Sequence, residues 1–456
     1  MRGAAYPTRW IAWLGVLVVG VTSCSAATGA SQTSSPVGAS RPVITTSSSV
    51  GGQPALELST AIAPTSTGLV APVGSPATPD PAPETGPTAA SVTPDSTAGI
   101  TIAPANGATG ISPLEPVVIR ATRGTLGSVA LRNPAGKSVA GVLSADETTW
   151  TSAEPLGYNK RYTASATAVA SPGGATLAAS FTTLKPDVTV FPSFYPPPST
   201  KVVGVGQPMV VIFSEPPVDR AAAEKTLTVT AEPATEGAWY WWDDRTVHWR
   251  PKEYWKPGTK VTVTAKVYGV PFGPGMYGET DRTLNVTIGS SKIAVIDDVT
   301  KQMDVFIDGR KVRTVPVSMG MDKAITVNGK KISFVTPSGT YVAQEKYDVK
   351  QMSSASYGLP VNYDLGYDSA IPLAIRLSYS GIFIHSAPWS VKDQGVRNVS
   401  HGCININPTD AAWFYDTFGY GDIVTVKGTD TPLESHDGFG DWNIPWSQWL
   451  EGSALR

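Results

Sequence analysis

Residues 381–405 read GIFIHSAPWSVKDQGVRNVSHGCIN. The opening Gly381-Ile382-Phe383-Ile384-His385 has the apolar texture of a buried strand and delivers a histidine at its end. Fourteen residues intervene before Ser400-His401-Gly402-Cys403. Thiol catalysis requires a cysteine, a base that makes it a thiolate, a group that holds the base's tautomer, and donors for an oxyanion. A histidine, a cysteine and a glycine that lets backbone approach a substrate are all present.

The surrounding sequence, 289–427, reads as one β-rich domain. Ile293-Ala294-Val295-Ile296 and Met303-Asp304-Val305-Phe306-Ile307 predict strands, and Asp308-Gly309 predicts a hairpin turn because both positions tolerate positive φ, with Lys311 to Val317 returning. Thr409 to Phe418 predicts a short helix capped by Thr409 or Asn407, and Asp422 to Val426 a closing strand. Met321 to Lys331 reads as a polar, hairpin-like insertion. The tail, 428–456, carries Trp442, Trp446 and Trp449, which more often dock on a neighbouring surface than stand in water. It is expected to pack at the junction with the preceding domain.

Upstream, Trp150-Thr151-Ser152 precedes the alternating Lys160 to Ala166, and Trp249-Arg250-Pro251 precedes the alternating Thr259 to Ala265; both features repeat at an offset of 99 residues. That period fits one immunoglobulin-like sandwich, and Tyr162, Ala164, Ala166 against Val261, Val263, Ala265 is the alternation of half-buried strands. Residues 99–186 and 187–288 therefore read as tandem Ig-like domains; the plainer alternative is two unrelated β segments.

Before them, 24–98 is rich in Ser, Thr, Pro, Ala and Gly, has no aromatic residue and a single basic one, Arg41. It buries too little apolar surface to offset chain entropy and is expected to be a disordered tether. Residues 1–23 read as an export signal, with Arg2 and Arg9 before the apolar Ile11 to Val21. Eleven apolar residues fall short of the about 20 a spanning helix needs. The ending Val21-Thr22-Ser23-Cys24 resembles a bacterial lipobox, which implies diacylglycerol on the Cys24 sulfur; an ordinary secretory signal is the alternative. With one cysteine in the signal ending and the other in the motif, a disulfide is a weak reading, and an exported chain that keeps an unpaired thiol usually needs it reactive. The 16% charged residues and net charge of −2 leave no basic stripe for nucleic acid. Four histidines without i,i+3 or i,i+4 pairing, and no second cysteine near Cys403, imply no metal, and no phosphate-binding glycine loop implies a nucleotide cofactor.

The segment from His385 through Ser400-His401-Gly402-Cys403-Ile404-Asn405 resembles the L,D-transpeptidase family with a YkuD-type catalytic domain. Ser386-Ala387-Pro388-Trp389-Ser390, Ala411 to Asp416 and Thr336-Pro337-Ser338-Gly339 extend the likeness, as does the order of lipobox, two Ig-like domains and catalytic domain found in actinobacterial members. The resemblance implies a mainly β chain: two tandem Ig-like β-sandwiches, then a catalytic domain with one or two short helices. It implies Cys403 as nucleophile, His385 as base, the Ser386 carbonyl on the base's other nitrogen, and an oxyanion hole from amides around His401, Gly402 and Cys403. His401 either binds substrate or packs beneath the nucleophile loop. Asn405 reads as a loop-fixing hydrogen bonder. Met352, Tyr357, Tyr367, Ser380 and Trp389, with Ser400 and Asn405, fall where the family lines its cleft, partly from a lid.

The implied partners are peptidoglycan stem peptides as donor and acceptor, carbapenem-type β-lactams as covalent inhibitors, and a membrane reached through Cys24. A monomer at the outer face of the cytoplasmic membrane, lipid-anchored and reaching the wall, with no cofactor, completes the expectation. The competing readings are an L,D-carboxypeptidase, an enzyme attaching proteins to peptidoglycan, and a non-catalytic wall-binding scaffold.

Overall fold

The computed structural model describes residues 98–171 and 173–456. The expected export signal, Cys24 and the tether up to Thr97 lie outside them.

Strict alternation builds the first unit. In strand Arg161–Val169, Tyr162, Ala164, Ala166 and Ala168 are buried while Arg161, Thr163 and Ser165 face out. It pairs with Thr125–Arg132 and Gly174–Thr182; a second sheet holds Ile100–Ala103, Val118–Ala121, Thr149–Ser152 and Gly141–Leu143. Ile119, Leu131, Trp150 and Phe181 fill the space between them. The next unit sets Val202–Val203, Arg282–Ile288, Lys260–Ala265 and Leu227–Glu232 against Gly237–Trp241, Thr246–Pro251, Met209–Phe213 and Pro192–Tyr195.

One packing device recurs in both units. Gly141 pairs with Ser152, two residues past Trp150, and Gly237 pairs with Pro251, two residues past Trp249. A Cβ on Gly141 would lie 2.0 Å from the Trp150 ring, and one on Gly237 2.1 Å from the Trp249 ring. Each indole therefore lies flat across a bare stretch of the neighbouring strand, and only glycine leaves room for it.

The third unit has a five-stranded sheet, in the order Arg310–Pro316, Gln302–Ile307, Lys292–Asp297, Ile423–Lys427, Gly339–Val342, and a four-stranded sheet, Lys346–Ser353, Asp368–Arg376, Phe383–Ser386, Ile404–Ile406. Asp308 and Gly309 turn the first hairpin at φ 49° and 78°. The insertion forms a separate hairpin, Ala324–Val327 with Lys330–Ser333, turned by Asn328 and Gly329 at φ 50° and 79°. Between the two candidate caps the structure selects Asn407, whose side chain accepts from Asp410 N–H (3.0 Å) at the start of helix Pro408–Thr417. Ala411 and Phe414 of that helix are buried in the core shared by the two sheets.

The tail ties the last two units together. The Arg250 guanidinium lies over the rings of Trp442, Trp446 and Trp449 at 4.8, 5.2 and 4.5 Å. Trp442 Nε1 donates to the Gly206 carbonyl (2.8 Å) on the Ig-like side. The neighbouring Asn443 exchanges two 2.8 Å bonds with the backbone of Thr340 in the catalytic sheet. His248 stacks on Trp242 at 4.4 Å and meets Asp441 at 2.9 Å, and His436 approaches the Trp242 carbonyl at 3.2 Å. Both histidines belong to this packing.

Candidate active site

Parallel pairing of Phe383–Ser386 with Ile404–Ile406 sets His385 opposite Asn405 and brings Cys403 to the same end of the sheet. The intervening loop closes on itself: Ser400 Oγ donates to the Cys403 carbonyl (2.6 Å) and accepts from Gly402 N–H (3.1 Å). Gly402 has φ +128° and its carbonyl accepts from Thr336 Oγ1 (2.8 Å), which in turn accepts from Gly320 N–H (2.9 Å). The turn that carries Cys403 is thus pinned from inside by Ser400 and from below by the buried Thr336.

His385 Nδ1 lies 2.9 Å from the Ser386 carbonyl. A carbonyl only accepts, so Nδ1 carries the proton and Nε2 is left as the basic nitrogen. Burial pushes His385 down to about 4, opposed by the bond to Ser386. Burial also pushes the Cys403 thiol up to about 11, with the Phe383 backbone pulling the other way. At neutral pH the pair therefore rests as thiol and neutral imidazole. The thiol is partly exposed and donates to the Gly381 carbonyl at 3.6 Å.

Two cavities meet at Cys403. The smaller, about 290 Å³, is lined by His385, Trp389, Ser400 and Asn405, and the larger, about 650 Å³, by Tyr357, Ser380, Gly381 and Gly402; Met352, Tyr367, His401 and Cys403 border both. Met352 and Tyr367 come from the hairpin of Lys346–Ser353 with Asp368–Arg376 and its connection, which overhangs the thiol. Trp389 stands at the rim, 56% exposed, its ring 5.9 Å from that of His385. His401 packs between Phe334 (4.8 Å) and Tyr367 (5.0 Å), yet its Nε2 is buried without a partner. Asn405 donates to Ser390 Oγ (3.0 Å), so it fixes the loop while lining the smaller cavity. Ser386 lines neither cavity and acts through its carbonyl.

One expected donor requires correction. Gly402 N–H is engaged by Ser400 Oγ, which removes it from an oxyanion hole. The amides of His401 and Cys403 have no protein acceptor among the described residues.

Sequence reasoning missed Gly381 and Thr336 as site residues, although both stand in quoted motifs. It also missed the cations of the larger cavity, Lys330, Lys331, Lys350 and Arg376, which no acidic residue joins in the lining. Among the described residues no three His, Cys, Asp or Glu side chains gather as metal ligands.

Comparison with known proteins places these residues in a family. Residues 291–426 match the L,D-transpeptidase catalytic domain, and residues 108–271 match the bacterial Ig domain. L,D-transpeptidase 2 of Mycobacterium tuberculosis is 44% identical over 78% of this chain and 85% of its own length. The chain belongs to the L,D-transpeptidase family. L,D-transpeptidase 5 of the same organism is 37% identical over 78% of this chain and 77% of its own. Among solved structures, the L,D-transpeptidase LdtMt1 in complex with imipenem is 34% identical, covers 53% of this chain and all of its own, and superposes with a TM-score of 0.44. The architecture of the chain is as the sequence implied: mostly strands, an Ig domain, then the YkuD-type domain. The span matched to the catalytic domain contains His385, Cys403 and both cavities' principal residues.

Proposed function

We propose that this chain is a cysteine L,D-transpeptidase that joins peptidoglycan stems through their third residues. The observation that carries the reading is the Nδ1 bond to the Ser386 carbonyl, which leaves His385 Nε2 unprotonated in the cavity that holds Cys403.

His385 Nε2 takes the Cys403 proton as sulfur attacks the carbonyl between diaminopimelate and the terminal D-alanine. The His401 and Cys403 amides, which no protein acceptor engages among the described residues, are our candidates for the oxyanion donors. Collapse breaks the C–N bond, the imidazolium gives its proton to the departing amine, and D-alanine leaves a thioester on Cys403. A side-chain amine of a second stem then attacks the thioester, its proton passes to His385, and collapse returns it to sulfur. Two cavities meeting at one sulfur suit a donor and an acceptor stem. The cations of the larger one suit a ligand rich in carboxylates. A carbapenem-type β-lactam presents a strained amide to the same sulfur and would form a stable acyl adduct. By the Val21-Thr22-Ser23-Cys24 ending, we further propose a lipid anchor on Cys24 at the outer face of the cytoplasmic membrane.

The test is mass spectrometry of the protein lacking residues 1–98 with a disaccharide tetrapeptide, beside a Cys403→Ala control. Release of D-alanine with a dimer linked through third residues, absent in the control, is expected. Tripeptide without dimer would make the enzyme a carboxypeptidase. No Cys403-dependent change would leave a binding scaffold.

A further inference from the structure

The Cys403 thiol donates to the Gly381 carbonyl, which sits on the turn joining Asp368–Arg376 to Phe383–Ser386. Gly381 has φ +100°, so the direction of that carbonyl depends on how the turn is held. Ser378 Oγ meets Ser380 Oγ (2.8 Å) and accepts from Ile382 N–H (3.1 Å), bonds internal to the turn. The outside hold comes from the tail. Asp437 accepts Ser380 N–H on Oδ1 and Ser380 Oγ–H on Oδ2, both at 2.6 Å.

Asp437 is itself anchored on both sides. Its N–H donates to the Glu434 carbonyl (3.0 Å), and a Cβ on the following Gly438 would lie 3.0 Å from the Leu377 carbonyl and 3.1 Å from Ser378 Cα. The preceding His436 packs against Trp242 of the Ig-like unit, ring centroids 4.3 Å apart and tilted by 30°, and Phe439 is buried in that unit's core. Four consecutive residues thus run from Ig-like packing to the turn whose carbonyl accepts the Cys403 thiol's hydrogen bond.

We propose that Asp437 is a positioning residue for Cys403, acting through the Ser380–Gly381 turn. The paired carboxylate bonds, short and charge-assisted, fix the peptide whose carbonyl orients the thiol and whose serine borders the larger cavity. The tail is by this account part of the catalytic apparatus, although it lies outside the span matched to the catalytic domain. The proposal rests on Cys403 being the nucleophile.

The test compares the parent with Asp437→Ala and Asp437→Asn in three readouts: kcat and KM for D-alanine release, the rate at which iodoacetamide alkylates Cys403 at pH 9, and the thermal midpoint. Alanine is expected to lower kcat about tenfold with KM changed less than twofold, to change the alkylation rate at least threefold, and to move the midpoint by only a few degrees. Asparagine still accepts Ser380 N–H and can donate to Ser380 Oγ, so it should recover most of kcat. An alanine variant with the parent's kcat and alkylation rate overturns the proposal. So does one whose kcat falls only with its midpoint, with alkylation unchanged and no rescue by asparagine. If the alanine variant does not fold, Ser380→Ala removes one bond of the pair and should give a smaller change of the same kind; parental kcat and alkylation there overturn the proposal. Alkylation reads the thiol alone, so a parent that releases no D-alanine would sink the transpeptidase reading without deciding this one.

Discussion

Cys403 and His385 are each moved by burial, and no charged neighbour offsets it. A thiolate–imidazolium pair would need the opposite shifts, a histidine raised and a cysteine lowered. The resting site is therefore uncharged. Alkylation of Cys403 by iodoacetamide should accordingly rise about tenfold per pH unit from pH 7 to 10, as thiolate forms below a value of about 11. A plateau between pH 6 and 8 would show a preformed ion pair instead. At this scale the sequence was most legible where chemistry resides in a side chain: Cys403, His385 and Ser400 could be read directly. Gly381 could not, because a backbone acceptor leaves no side chain to notice. Thr336 was quoted as part of a turn, but its bond to the Gly402 carbonyl joins residues 66 apart and has no local signature.

The elements that frame the cleft differ in how plainly they were written. Asp308-Gly309 and Asn328-Gly329 announce hairpins because positive φ is required at both positions of each turn. The Gly141–Trp150 and Gly237–Trp249 contacts were half visible: the tryptophans repeat, but the glycines matter only once strands pair. The insertion hairpin was expected near the cleft rim, but its two lysines were not singled out there. Its strand Lys330–Ser333 contributes both lysines to the lining of the larger cavity, with Lys350 and Arg376. A double Lys330→Ala, Lys331→Ala variant should raise KM for a stem peptide about three- to tenfold with kcat little changed, since charge at the rim acts on encounter more than on bond making. The penalty should shrink at high salt. An unchanged KM at low salt would remove the hairpin from substrate binding.

Across the whole molecule, the close seam between the second Ig-like unit and the catalytic sheet places a charged group where water is scarce. Gly204 donates to the Tyr420 carbonyl at 2.7 Å, and a Cβ there would lie 2.3 Å from Asp422 Oδ1. Burial raises Asp422 to about 6 despite Lys292 at 3.3 Å. Its raised folded value means that stability is full below the ordinary 3.8 and is lost, by about 3 kcal/mol, as pH rises through about 6. His385 acts oppositely: its folded value of about 4 lies below the ordinary 6.5, so the unfolded chain holds more protons between them, and stability rises with pH across that window by about 3 kcal/mol. The two slopes oppose each other, and His401, also lowered by burial, adds to the rising one. Asp422→Asn removes one slope. That variant should match the parent near pH 4, where the acid is already protonated, and exceed it at pH 7, because asparagine can still accept the Gly419 N–H that Asp422 Oδ2 holds at 2.8 Å. A variant with the parent's own pH profile would show that Asp422 ionises freely at the seam, and one less stable at pH 7 would show that the Lys292 pair outweighs burial.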